Sequence, residues 1–79
     1  MIRNVTYRDL SIAEFVRARR KASRMTQQEL GELVGLGRRA IVEIEQGKPT
    51  LRLDTVNSVL AAFGKTLGIV DLPRSQRKR

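Results

Sequence analysis

Apolar residues recur at helical spacing in four separate stretches of the chain. Ile12, Phe15 and Val16 open the first, with Arg17, Arg19, Arg20 and Lys21 interleaved and following. This pattern predicts a helix from Ser11 to about Ser23. Leu30, Leu33 and Val34 form the apolar stripe of a second helix, which starts at Gln27 and ends at Gly35. Ile41 and Ile44 point inward from a third, running from Arg38 to Gln46. Leu53, Val56, Val59, Leu60 and Phe63 fit a 3.6-residue period in a fourth, from Leu53 to about Phe63.

Start and stop signals bracket these stretches. Ser11 with Glu14, and Thr26 with Glu29, are capping boxes, in which hydroxyl and carboxylate each satisfy an otherwise orphan backbone donor. Gly35, Gly47 and Gly64 follow the later helices, and Pro49 reinforces the third stop. After Gly64 the pattern changes. Leu67, Ile69, Val70 and Leu72 are β-favouring and Pro73 ends the run, which predicts one short strand in an otherwise helical chain. Ile2, Val5 and Tyr7 alternate weakly in an N-terminal arm, and the tail RSQRKR is polar, basic and expected to be disordered. The predicted organisation is an arm at residues 1–10, a helical domain at 11–64, a strand at 65–73 and a basic tail at 74–79. The fold class is all-α, with four to five helices and one C-terminal β-strand.

Size and composition narrow the possibilities. A single domain of 79 residues buries only about 60% of its unfolded surface and is marginal alone. The chain has no Cys and no His, which excludes disulfides and the usual zinc sites. Oligomerisation is then the expected support, and the lone strand has no partner within the chain unless the N-terminal arm supplies one. Sixteen Lys and Arg against eight Asp and Glu give a net charge of +8, which calls for a polyanionic partner, nucleic acid or an anionic membrane. No apolar run approaches the roughly 20 residues of a membrane span, and the N-terminus lacks the apolar core of a secretory signal. A cytoplasmic protein is expected. Without His, Cys or a Gly-rich phosphate loop, no catalytic residue, metal or cofactor is expected, and the chain reads as a binding protein rather than an enzyme. Three aromatic residues are too few for the stacking surfaces of an RNA-binding module.

The segment GLGRRAIVEIEQGK, residues 35–48, carries the sharpest functional signal. Helix, three-residue glycine link, helix is the helix-turn-helix signature, whose second helix enters the major groove with its N-terminal residues toward the bases. Arg38 and Arg39 open that helix, where the macrodipole already places positive charge, so they are unfavourable for folding but well placed for a polyanion. Arginine pairs with guanine O6 and N7. Glu43, four residues after Arg39, either accepts from a cytosine amino group or holds Arg39 in position, and Val42 reaches toward a thymine methyl. Arg38, Arg39, Val42 and Glu43 are therefore the base-reading candidates. Arg19, on the basic side of the first helix, is a candidate phosphate contact.

The block TQQELGELVGLGRRAIVEIEQGK resembles the XRE (Cro/C1-type) helix-turn-helix family over residues 12–63. The resemblance rests on Thr26-Gln27, Glu29-Leu30, Val34-Gly35-Leu36, Ile41 and the run from Ile44 to Lys48. It implies a lambda-repressor-like domain that binds double-stranded DNA. It also implies phosphate contacts from Gln27 at the start of the second helix and from Gln46 and Lys48 after the third. Arg20 and Glu45 match positions that form a structural ion pair in this family. Gly37 and Ala40 stand where the family has Ser or Thr, which removes two possible phosphate contacts. The segment AAFGKTLGIVDLP further resembles the C-terminus of HipB-type antitoxins, small members of the same family. That resemblance implies a strand, Leu67 to Leu72, that pairs with its mate across a dimer axis. It also implies a repressor of its own operon that neutralises a HipA-like kinase toxin. A stand-alone phage-type repressor or restriction-modification controller is the alternative, and a toxin gene beside this one would separate the two.

Overall fold

A computed structural model describes residues 10–72, which form four helices: α1 (Ile12–Ala22), α2 (Gln27–Leu33), α3 (Arg38–Glu45) and α4 (Leu53–Ala61). The expected N-terminal arm, apart from Leu10, and the basic tail lie outside the described residues. Both capping boxes are closed. In the first, Ser11 Oγ accepts from the Glu14 amide at 3.1 Å, and the Ser11 amide donates to Glu14 Oε1 at 2.9 Å. In the second, Thr26 and Glu29 make the same two bonds at 3.0 and 2.8 Å.

The core takes residues from every helix: Phe15 and Val16 from α1, Leu30 from α2, Ile41 and Ile44 from α3, and Val56, Val59 and Leu60 from α4. Burying a side chain of this size contributes about 1.5–3 kcal/mol. The rings of Phe15 and Phe63 meet edge to face, 6.2 Å apart, at the seam of α1 and the end of α4. Leu10, Met25, Val34, Leu51 and Leu67 pack around this cluster.

Three expected core positions are not in the core: Ile12, Leu33 and Leu53, with Ile12, the first residue of α1, 40% exposed. Leu33 is 65% exposed. With 100° per residue, it lies about 60° to one side of Leu30, while the close packing of α2 falls on the other side, at Gly31. Leu53, in the first turn of α4, is also exposed. The α4 boundary differs as well. Its regular part ends at Ala61, and Ala62, Phe63 and Gly64 close it with amide bonds to the carbonyl three residues back. Such tightened last turns are common where the helical ladder runs out. α3 likewise stops at Glu45, with Gln46 as its cap.

Residues 65–72 contain no strand in the single chain. A strand exists only in a ladder, and no described segment pairs with this one. The segment is fastened at its root instead. Asn57 Oδ1 on α4 accepts from the Leu67 amide at 2.8 Å and from Thr66 Oγ1 at 3.2 Å. Beyond that tie Ile69, Val70 and Leu72 are exposed.

Candidate nucleic-acid interface

The turn between α2 and α3 sets the interface geometry. The Gly31 carbonyl accepts amide bonds from Leu36 at 2.9 Å and from Gly37 at 3.1 Å. A Cβ on Gly31 would lie 2.3 Å from the Gly37 carbonyl group, so only glycine lets the turn fold this closely onto α2. Gly35 and Gly37 have φ of 74° and 84°, a region that side-chain-bearing residues rarely adopt. The turn therefore needs glycine at three points, one for space and two for backbone conformation. Gly31 escaped the sequence reading, although a glycine inside the helical run ELGEL marks a close approach.

A second device fixes α3 against α1 and α2. The Arg20 guanidinium donates from Nε to Glu45 Oε2 at 2.7 Å and from its terminal nitrogen to Oε1 at 3.0 Å. Its other terminal nitrogen donates to the Met25 carbonyl at 2.9 Å, and Gln27 Nε2 donates to Glu45 Oε1 at 3.3 Å. The two charged side chains are only 11% and 5% exposed. Burial pushes the Glu45 carboxyl up, but the bonds from Arg20 and Gln27 outweigh it and hold the group below its usual value. One bidentate pair thus joins α1, the α1–α2 link, the start of α2 and the end of α3. Gln27, expected at a phosphate, is here half-buried and bonded into this network.

With Ile41 and Ile44 locked inward, the opposite side of α3 is presented outward. Arg38 and Arg39 are exposed at its first turn, which has no side-chain cap and no acidic residue. Partial positive charge from the helix end and two guanidinium charges coincide there. The Arg39 side chain is 90% exposed, and its Nε donates to Glu43 Oε2 at 3.2 Å. Lys48 Nζ approaches the same oxygen at 3.5 Å. The hydrogen bond from Arg39, with the charge and bond of Lys48 added, keeps the Glu43 carboxyl below its ordinary value despite some burial, so it is ionised at neutral pH. Val42 is half-buried beside Glu43, and Gln46 is exposed at the end of the helix. The structure thus brings Arg38, Arg39, Val42, Glu43, Gln46 and Lys48 onto one helix and the loop that follows it. Arg19 lies elsewhere: its guanidinium sits 5.6 Å from the centre of the Phe63 ring, a cation–π arrangement at the α1–α4 seam.

This arrangement suits a duplex groove: an apolar side anchors the helix, and the outward side carries donors, one acceptor and excess positive charge. Among the described residues no helix is long and apolar enough to cross a membrane. If Lys48 neutralises a phosphate on the operator, Lys48→Ala weakens operator binding. The slope of log affinity against log salt then falls by about one unit. An unchanged slope in a salt titration removes Lys48 from the interface.

Residues 16–70 match the family model described as Helix-turn-helix. A relative from Sinorhizobium fredii, the uncharacterized HTH-type transcriptional regulator y4mF, is 39% identical over 67 residues, covering 85% of this chain and 87% of its own. An uncharacterized HTH-type transcriptional regulator from Haemophilus influenzae is 35% identical over 71 residues, covering 90% of this chain and 71% of its own.

Proposed function

The chain belongs to the XRE-type helix-turn-helix family, and on that basis we propose that it is a sequence-specific repressor that grips a palindromic operator as a homodimer. Membership of this family makes it a DNA-binding regulator rather than an enzyme. The observation that carries the finer reading is the uncapped, acid-free first turn of α3 with Arg38 and Arg39 exposed on it. In this reading Arg38 and Arg39 pair with guanines, Val42 meets a thymine methyl and Glu43 accepts from an exocyclic amino group. Lys48 and Gln46 hold the phosphates beyond α3. Gln27 reaches the backbone from the start of α2 while its amide braces Glu45. Arg19, with its guanidinium over the Phe63 ring, is a candidate phosphate contact from α1.

The dimer is supported by the segment after α4. Its root is pinned by Asn57, and its apolar residues Ile69, Val70 and Leu72 face solvent in the single chain. Pairing this segment with its mate as a two-stranded ladder satisfies the backbone and covers those side chains. Two α3 helices then address half-sites about 34–36 Å apart. A repressor whose dimer segment follows its last helix fits the antitoxin of a HipBA-like operon, with a kinase toxin as second partner and the cytoplasm as its location. A stand-alone repressor or restriction controller is the other reading. Purification from the native operon separates them: a kinase retained with the repressor supports the antitoxin, and a repressor that purifies as a dimer without one supports the alternative.

The DNA-reading part is tested with Arg39→Ala. Its operator binding should weaken by about 1–3 kcal/mol, with preference relaxed at one base pair. Equal losses on operator and random duplex would count against base reading by Arg39.

A further inference from the structure

The chain carries a net charge of +8, yet carboxylates sit where its cations gather beside α3. A hollow there is lined by Arg39, Glu43, Lys48, Thr50, Arg52 and Thr55, among others. Each of its three cations is held by an acid: Arg39 and Lys48 by the same Glu43 oxygen, at 3.2 and 3.5 Å, and Arg52 by Asp54 at 2.8 Å. Glu43 is the informative member. Its side chain is 27% exposed, on the outward side of the helix, and it engages one residue assigned to bases and one assigned to phosphates.

We propose that Glu43 sets specificity chiefly by penalty: it masks Arg39 and Lys48 from random phosphates and releases them only where a base offers its carboxylate a donor. The inference rests on α3 being the reading helix. Non-specific binding comes almost wholly from cations that displace counterions, so one carboxylate shared by two cations removes about one unit of positive charge from that term. On a mismatched site the carboxylate faces a base acceptor, such as thymine O4 or guanine O6, and the contact is repulsive. On a matched site a cytosine or adenine amino group takes the place of the cations as its donor. Arg39 is then free for a guanine and Lys48 for a phosphate. Discrimination by an introduced repulsion is a general route to specificity, and it needs no gain in affinity for the correct partner.

The test compares wild type with Glu43→Gln, an isosteric change at a half-buried position, on a selected operator and on random-sequence duplex across a salt series. Glu43→Gln should bind random duplex about five- to tenfold more tightly near 0.1 M salt, with a slope steeper by about one unit, the signature of one further counterion released. Operator affinity should change less, so the ratio of operator to random binding falls. A second variant guards against an indirect effect on the helix: adding Lys48→Gln should return the slope on random duplex to its wild-type value. Unchanged random-duplex affinity and slope in Glu43→Gln would overturn the masking role, as would a raised slope that survives the Lys48 change. A wild-type protein that prefers no duplex over any other overturns the reading-helix assignment itself, a result separable from either of these.

Discussion

Replacing Glu45 by alanine is expected to destabilise the fold by about 3–5 kcal/mol, because it strands a largely buried guanidinium. Arg20 would keep the Met25 carbonyl and lose both bonds to the carboxylate, at a side chain only 11% exposed. A chain of this length holds about 4–12 kcal/mol of stability in total, so the loss is comparable to the whole. Denaturant midpoints at matched protein concentration measure it, since the stability of the proposed dimer would vary with concentration. The paired change Arg20→Met with Glu45→Leu should recover most of the loss, because a buried ion pair replaced by apolar residues of similar volume is often neutral. A small effect of Glu45→Ala alone would mean that water reaches the pair freely. The sign of the pH dependence follows from the same geometry. Glu45 has a folded value below its ordinary 4.5. Its contribution is therefore complete above that pH and is lost as pH falls through the lowered folded value.

Gly31→Ala is the second large effect, and its sign is diagnostic. At an open helical position, glycine to alanine stabilises by about 1 kcal/mol. Here the new Cβ would stand 2.3 Å from the Gly37 carbonyl carbon and oxygen and 2.8 Å from the Arg38 nitrogen. These are backbone atoms of the turn, so relief requires α3 to move away from α2. The expected outcome is a loss of about 1–3 kcal/mol, the usual range for overpacking. Operator affinity should fall beyond what stability explains, because the same shift displaces Arg38. A stabilised Gly31→Ala protein would show that the turn is more loosely packed than the geometry describes.

The four helices are legible in the chain because their signals are local. Ser11 with Glu14 and Thr26 with Glu29 announce two helix starts at fixed spacing, and both boxes close. Apolar period identifies a buried face but not its centre. The period therefore groups Leu33 with Leu30 and Val34, although the helix turns its Gly31 edge inward. Contacts between distant residues leave less trace. The bond of Glu43 to Arg39 follows from a spacing of four, whereas its approach by Lys48 depends on how the chain leaves α3. Likewise the tie from Asn57 to Thr66 and Leu67 joins a helix to a segment nine and ten residues on, with no periodic signal. The strand expected at residues 65–73 needs a partner segment, and among the described residues none pairs with it, so its sequence marks a β-favouring segment without forming a ladder.

In the proposed function the exposed first turn of α3 reads bases. The most direct test is selection of bound duplexes from a randomised pool, with wild type and with Arg38→Ala/Arg39→Ala. Wild type is predicted to enrich a two-fold symmetric sequence with guanine in each half-site and half-sites about one helical turn apart, 10–10.5 bp. The double variant is predicted to fold and to lose the guanine preference. A wild-type selection without any enriched sequence, or one whose guanines persist in the double variant, would contradict it.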